Sequence, residues 1–259
     1  MPILFIGHGS PINAIENNYF TNNFEQIVKN IKKPKAIICI SAHWLTDGTK
    51  VTAMKKPKTI HDFYGFPKEL YDIEYPAYGD VNLAKEIKSL LNPINVDLDM
   101  EWGLDHGTWS ILRHMYPDAN IPVVQISIDY AKPADYHFNL AKKLSSLRSL
   151  GILIIGSGNI VHNLNKVDFN NIETLNYGYD WAKRAQKFIN ELIIKGDFEN
   201  LLNYKQNEDL DLAIPTPDHY LPLIYILGLK EKDEIVELFN DILVGGSLSM
   251  TSLKIENKS

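Results

Sequence analysis

Eight histidines are the residues of this chain best suited to chemistry, and their places along the sequence say more than their number. Three of them each follow a short apolar run: His8 after Ile3–Ile6, His43 after Ala36–Ile40 and His162 after Ile152–Ile155. Neutral imidazole is the commonest metal ligand in proteins and suits zinc or iron. Three or four such ligands around an ion with an open position would make a catalytic rather than a structural site.

His219 is a further residue that could reach such a site. It follows Pro215-Thr216-Pro217-Asp218, whose prolines would stiffen the loop. It also opens a predicted helix over Tyr220–Leu227, for which Gly228 would be a natural stop. Spacing alone leaves a structural role open for His162 and His219, because no compact metal motif such as His-Glu-x-x-His is present.

Alternating strands and helices must position these side chains. Short apolar runs predict buried strands at Ile3–Ile6, Ala36–Ile40, Val123–Ile128, Ile152–Ile155 and Leu248–Leu253. Apolar residues at helical spacing predict helices at Val81–Leu91, Asn139–Leu147 and Trp181–Ile194. The pattern indicates an α/β fold: a single domain over residues 1–259 with a central, mostly parallel or mixed sheet flanked by helices. Ligands bind outside the carboxyl ends of strands in such sheets, so three histidines at three such ends are expected to converge.

Composition narrows the possible partners and location. A net charge of −6 gives no overall attraction to a phosphate backbone, so no nucleic acid partner is expected. No segment reaches the roughly 20 apolar residues that span a bilayer, so no membrane association is expected. The single cysteine, Cys39, allows no internal disulfide, and the N-terminus does not resemble a signal peptide. We therefore expect a cytoplasmic protein.

Six short segments, in order over nearly the whole chain, resemble the DOPA-type extradiol dioxygenases of bacteria and plants. They are Gly7-His8-Gly9-Ser10-Pro11, Ser41-Ala42-His43-Trp44, His61-Asp62-Phe63-Tyr64-Gly65-Phe66-Pro67, Asp105-His106-Gly107-Thr108-Trp109, Gly156-Ser157-Gly158-Asn159 with His162-Asn163-Leu164, and His219-Tyr220-Leu221-Pro222-Leu223. That group belongs to the class III extradiol dioxygenases, related to the catalytic subunit of protocatechuate 4,5-dioxygenase. Six segments in series are specific to the family, although not to one substrate.

The resemblance implies roles for five of the histidines. His8 and His43 match the metal-binding histidines of the family, and His219 matches the third metal position. His162 matches a histidine that acts either as the acid/base or as a further metal ligand. His106 lies in a segment associated with the substrate side of the site, so His162 and His106 are the expected catalytic residues.

The resemblance also implies the cofactor and the substrates. The expected reaction opens the ring of a small aromatic diol with O2 at a mononuclear Fe(II) ion and gives a semialdehyde. His61, Tyr64 and Trp109 are expected to line the diol pocket. Many class III members supply the third ligand as glutamate, whereas His219 here makes an all-histidine site that would also hold Zn(II).

Two other functions stay open from the sequence. A zinc-dependent hydrolase would use a metal-bound water as its nucleophile, but only Asp105 and Asp218 stand near the motifs as carboxylate bases. A non-enzymatic binding module of similar fold would not need the full set of His8, His43 and His219. A monomer or a homodimer is expected.

Overall fold

Ten strands form the framework of the computed structural model, which describes residues 1–258. Their bounds are β1 (Ile3–Gly7), β2 (Ala36–Thr46), β3 (Thr49–Thr52), β4 (Val96–Asp99), β5 (Val123–Asp129), β6 (Ile152–Gly158), β7 (Glu234–Phe239), β8 (Leu243–Val244), β9 (Leu248–Ser249) and β10 (Ser252–Asn257). Eight strands form one mixed sheet in the order β4-β3-β5-β2-β6-β1-β10-β7, and β8 pairs with β9 separately. The central strands β5, β2, β6 and β1 are parallel, so their carboxyl ends share one edge.

Strand β1 illustrates why the sheet is covered on both faces. Ile3 and Phe5 pack into one apolar core, whereas Leu4 and Ile6 pack into a second core on the opposite face. Successive side chains of a strand point to opposite faces, so an unbroken apolar run needs cover on both sides. Each such buried side chain contributes about 1.5–3 kcal/mol relative to exposure.

Helices supply that cover and complete a three-layer α/β/α single domain. Their bounds are α1 (Tyr19–Val28), α2 (Lys68–Tyr71), α3 (Val81–Leu91), α4 (His106–Met115), α5 (Ala134–Lys142), α6 (Ser146–Ser149), α7 (Asp180–Lys195), α8 (Phe198–Leu202), α9 (Glu208–Ala213) and α10 (Leu221–Gly228). Helices α3, α5, α7 and α10 pack on one face, and α1 and α4 pack on the other. Within residues 1–258, no helix is both long enough and apolar enough to cross a membrane.

The predicted α/β fold is confirmed, with corrections to individual strands. Strand β2 continues to Thr46, so His43 lies within the strand rather than after it. The predicted single strand Leu248–Leu253 is wrong, because the chain leaves regular pairing between β9 and β10. There the Ser249 side chain accepts a hydrogen bond from the Thr251 backbone N–H, which competes with strand pairing.

The helix predictions are largely confirmed. The helix Val81–Leu91 has the predicted bounds, and two others match within one residue at each end. The helix predicted at Asn139–Leu147 is wrong in its bounds, because α5 begins at Ala134. Apolar periodicity does not count polar residue types such as histidine. The first turn of α5 was therefore missed, because His137 is part of its buried face.

A buried ion pair joins distant parts of the chain behind the sheet. The side chains of Arg148 and Glu234 are 8% and 1% exposed and form a bidentate salt bridge. Arg148 also donates to the backbone carbonyls of Met1 and Leu229, at 3.1 and 2.9 Å. Burial alone would raise the pKa of Glu234, but the hydrogen bonds from Arg148 and from the Glu231 backbone N–H, together with the positive charge of Arg148, lower it.

Replacing Glu234 with Ala should lower the free energy of unfolding by about 3–5 kcal/mol, because the Arg148 guanidinium would be buried without its partner. Urea unfolding at pH 7 measures this loss. Asp209→Ala is the control: it breaks an exposed ion pair with Arg184 and should cost less than about 1 kcal/mol. Equal losses in the two variants would contradict a stabilising role for the buried pair.

The difference in unfolding free energy between the native chain and Glu234→Ala should depend on pH. Because the folded pKa of Glu234 is lowered, its stabilising effect is present above the unfolded pKa of about 4.3. It is lost as the pH falls through the lower folded pKa. The difference between the native chain and Glu234→Ala should therefore shrink in that acidic range.

Candidate metal centre

Two predicted metal ligands lie at the carboxyl edge of the parallel strands. His8 directly follows β1, and its backbone N–H donates to the Gly158 carbonyl at the end of β6, at 3.1 Å. His43 lies in β2, where the pairing register with β5 shifts between Ile40 and Leu45. Irregularities of this kind re-aim a side chain relative to a regular strand. The shift thus allows His43 to turn toward His8 at the same edge of the sheet.

The structure brings five histidine rings together from distant parts of the chain: His8, His43, His106, His162 and His219. The ring centroids of His8, His43 and His219 are 5.0, 5.0 and 5.4 Å apart in pairs. His106 lies 3.9 Å from His43, and His162 lies 3.5 Å from His219. All the histidines predicted as metal ligands or catalytic residues are therefore in one cluster.

A hydrogen-bond chain fixes the tautomer of His8. The hydroxyl of Ser157 donates to the Gly107 carbonyl at 2.5 Å, so its single proton is committed. His8 Nδ1 lies 3.0 Å from the same oxygen and must be the donor to it. A neutral imidazole carries one N–H, so Nε2 of His8 keeps a lone pair.

Carboxylate oxygens face the Nδ1 atoms of His219 and His43. Asp218 Oδ2 lies 2.5 Å from His219 Nδ1, and Asp62 Oδ2 lies 3.5 Å from His43 Nδ1. Burial alone would raise the pKa of each carboxyl, but hydrogen bonds from histidines lower both, that of Asp218 to about 2. Ionised carboxylates only accept, so they favour a proton on Nδ1 and leave Nε2 free for a metal.

The Nε2 atoms of His8 and His43 approach within 3.1 Å. With the Nδ1 protons placed as above, both atoms carry lone pairs and neither can donate to the other. Two buried lone pairs this close are unfavourable unless a cation lies between them. Two nitrogens bound to one ion at about 2.0–2.1 Å are roughly 3.0–3.4 Å apart, so this pair fits a shared metal.

Ring spacing distinguishes between His219 and His106 as the third ligand. Three imidazoles in tetrahedral directions around one ion have ring centres roughly 5 Å apart. His219 meets that spacing with both His8 and His43, whereas His106 is too close to His43. Nitrogen distances instead group His106 with His8 and His43, within 4.8 Å of one another. We favour the ring spacing, because the centroids of His43 and His106, 3.9 Å apart, are too close for two rings bound to one ion.

Burial keeps His8, His43 and His162 neutral. It lowers the pKa of His8 and of His43, and repulsion from neighbouring histidines lowers both further. It lowers the pKa of His162 to about 3, with His219 acting in the same direction. Neutral imidazole is the form that binds a metal or accepts a proton, so near neutral pH His8, His43 and His162 are in that form.

Close backbone packing sets the position of His219. Its carbonyl accepts a hydrogen bond from the Asn159 N–H at 2.9 Å. A Cβ atom on Gly158 would lie 2.2 Å from the same oxygen, so only glycine lets the loop pass this close to β6. Directly after this contact the chain enters α10, with Pro222 in its first turn. His219 is thus held between a strand end and a helix start.

His162 stacks on His219 with nearly parallel rings. Their planes differ by 8° and their centroids are 3.5 Å apart. The backbone N–H of His162 donates to the Ala213 carbonyl at 2.8 Å, which anchors the loop. Two rings bound to one ion need a wider separation of roughly 5 Å. The geometry therefore favours a proton-transfer position beside the ligand over a fourth ligand.

The three residues predicted to line the substrate pocket are placed differently from one another. Trp109 is fully buried on α4, with His61 packed 5.7 Å away, whereas Tyr64 is 91% exposed. Phe63, between them in the same loop, lies edge-on to His106 at 5.6 Å. Phe63, which lies between His61 and Tyr64 in the sequence, thus contacts a ring of the histidine cluster. The pocket roles of His61, Tyr64 and Trp109 stay predictions.

The sequence analysis assigned no role to two polar residues of the site, Asp62 and Ser157, because the residues around them are the more prominent features of the sequence. Asp62 lies in an aromatic loop, and Ser157 lies between two glycines of a strand end. An acidic residue next to a histidine is the signal that could have found Asp62, as it did Asp218. Asp105 instead caps α4 and accepts from Gln125 at 2.7 Å, and burial raises its pKa.

Comparisons with known proteins agree with this arrangement. The family model described as the catalytic LigB subunit of aromatic ring-opening dioxygenase matches residues 2–249. The chain is 47% identical to the 4,5-DOPA dioxygenase extradiol of Escherichia coli strain K12, covering 98% of this chain and 94% of that protein. It is 36% identical to the protein of the same name from Beta vulgaris, covering 96% and 94%.

A solved structure extends the similarity to the fold. The crystal structure of an uncharacterized protein from Escherichia coli K12 superposes with a TM-score of 0.86 at 41% identity. The alignment covers 99% of this chain and 100% of that one. The family predicted from the six sequence segments is confirmed: this chain belongs to the family of the catalytic LigB subunit of aromatic ring-opening dioxygenases.

Proposed function

We propose that this chain is a metal-dependent extradiol dioxygenase that opens the ring of a DOPA-like catechol with O2. The facing Nε2 atoms of His8 and His43, 3.1 Å apart, are the observation that carries the proposal. Nδ1 of His8 is bonded to Ser157, and Nδ1 of His43 lies 3.5 Å from Asp62. The C–C bond next to the diol breaks, and both atoms of O2 enter the product. The ring carbons at that bond become a carboxylic acid and an aldehyde. Neither a hydrolase nor a binding module is favoured, because the family is that of a ring-opening dioxygenase.

His8, His43 and His219 are the proposed ligands of the metal. Fe(II) is the ion proposed for activity, since it binds imidazole and supports the redox step, whereas Zn(II) would occupy the same ligands without it. When bound, the ion would allow electrons to pass from the diol to O2. Ser157, Asp62 and Asp218 hold the ligand rings in the tautomer that such an ion requires.

His162 and His106 are the proposed proton-transfer residues. Burial lowers the pKa of His162 to about 3, so the ring is neutral and can accept a proton from a diol hydroxyl. Its stacking on His219 keeps it within reach of a substrate at the metal ligands. His106 stands on the other side of the cluster, against His43 and Phe63. Two bases on opposite sides suit a substrate that has two hydroxyl groups.

The proposed substrate is a small aromatic diol. Phe63 and His61 provide aromatic surface beside the cluster, which suits a flat ring. The relatives named 4,5-DOPA dioxygenase extradiol indicate the type of catechol to test first. We further propose a cytoplasmic location, supported by the single buried Cys39, and a monomer or homodimer.

Oxygen uptake tests the proposed activity. Protein loaded with Fe(II) under anaerobic conditions should consume O2 when DOPA or another catechol is added, with one O2 used for each ring opened. A yellow ring-opened semialdehyde should accumulate with the same stoichiometry. Zinc-loaded protein is the control and should consume none. Ester or amide hydrolysis by the zinc form, without O2 uptake by the iron form, would contradict the proposal.

A pair of variants separates metal binding from proton transfer. His219→Ala removes one of three proposed ligands and should leave little metal after purification, measured by elemental analysis. His162→Gln cannot cycle a proton near neutral pH, so it should keep its metal and lose about 10²–10⁴-fold in kcat. If His162→Gln loses metal as severely as His219→Ala, then His162 is a ligand instead.

Gly158→Ala tests whether backbone packing positions His219. The added Cβ would displace the His219 carbonyl and the ring with it, so metal affinity should fall by about 10-fold or more. Gly196→Ala is the control: this residue ends α7 with φ of 70° and has open space around it. That change should cost stability but leave metal affinity intact. Equal metal affinities for both variants would mean that Gly158 does not position the ligand.

A further inference from the structure

Asp62 contacts two histidines of the cluster at once. Its Oδ1 accepts from the His106 backbone N–H at 2.8 Å, and its Oδ2 accepts from His106 Nδ1 at 2.8 Å. The same Oδ2 lies 3.5 Å from His43 Nδ1. The carboxylate side chain is 18% exposed and the His106 side chain only 6%, so the contacts are largely shielded from water. One carboxylate thus bridges a proposed metal ligand and a proposed proton-transfer residue.

These contacts determine which nitrogen of His106 carries the proton. A backbone N–H can only donate, so it fixes Oδ1 of Asp62 in place, and Oδ2 then faces Nδ1 of the ring. An ionised carboxylate has no proton to donate, so Oδ2 of Asp62 can only accept from Nδ1 of His106. A neutral His106 therefore holds its proton on Nδ1 and has an unprotonated Nε2.

We propose that Asp62 is a positioning residue that holds His106 in the Nδ1–H tautomer, so that Nε2 can accept a hydrogen bond or a proton from the catechol. This inference rests on the proposed function, because it gives Nε2 of His106 a substrate partner. Its second effect is to favour the Nδ1–H tautomer of His43 and so direct Nε2 of His43 to the metal.

Asp62→Asn is the informative change, because it keeps size and shape. The asparagine oxygen must still face the fixed backbone N–H of His106, so its amide nitrogen must face Nδ1 of the ring. Two N–H groups cannot face each other, so the His106 proton should move to Nε2. The reactive nitrogen would then be a donor rather than an acceptor.

Nitrogen-15 NMR of the zinc-loaded protein reads the tautomer directly, with the His106 signals assigned by their loss in His106→Gln. We expect the Nδ1–H tautomer in the native chain and the Nε2–H tautomer in Asp62→Asn. An Nε2–H tautomer in the native chain overturns the proposal, whether or not the variant folds. Asp80→Asn is the matched control, since Asp80 caps α3 through two backbone N–H groups and asparagine caps equally well.

Kinetics of the Fe(II) form give the second readout. At saturating Fe(II), Asp62→Asn should lose about 10²–10⁴-fold in kcat, with a smaller change in KM, because Nε2–H can still hydrogen-bond the substrate. Asp80→Asn should match the native chain. Unchanged kcat with a switched tautomer would overturn the substrate role of His106. If the native chain itself opens no catechol, the proposed function fails, while the NMR result still decides the tautomer.

Discussion

Two imidazole nitrogens that converge on one point, from the buried His8 and the partly buried His43, are the constraint on which the rest of this site depends. The Nε2 atoms of His8 and His43 face each other at 3.1 Å, and with both rings in the Nδ1–H tautomer their lone pairs suit a cation placed between them. Ser157 fixes that tautomer in His8, Asp62 favours it in His43, and the proposed metal ion would supply the compensation. The site is therefore preorganised for a cation by hydrogen bonds on the far side of each ring.

The parallel sheet makes this convergence possible. Strands β1, β6 and β2 are neighbours with their carboxyl ends at one edge, so residues far apart in sequence arrive at the same place. His219 reaches the same edge from a loop, and Gly158 at the end of β6 lets it approach. The apolar cores on both faces hold the strands rigid, so the metal ligands rest on regular structure rather than on loops alone.

The sequence was sufficient for the parts of the fold that depend on local pattern. Apolar runs located the central strands, and the position of His8 after such a run predicted its place at the sheet edge. The short strands β3 and β4 gave no signal, because four residues with mixed polarity have no clear period. The role of His219 came from family resemblance, since no local pattern tells a ligand from a helix-entry residue. The sequence assigned no role to Asp62, because its proposed role arises from contact with His106, 44 residues away.

Anomalous diffraction from crystals of the Co(II)-loaded protein, recorded on both sides of the cobalt edge, tests the metal site most directly. We expect one peak at about 2.0–2.2 Å from the Nε2 atoms of His8, His43 and His219. His162 and His106 should then lie beyond bonding distance of the ion. A peak bound by His8, His43 and His106, or one between His162 and Asp218 away from His8, would contradict this assignment.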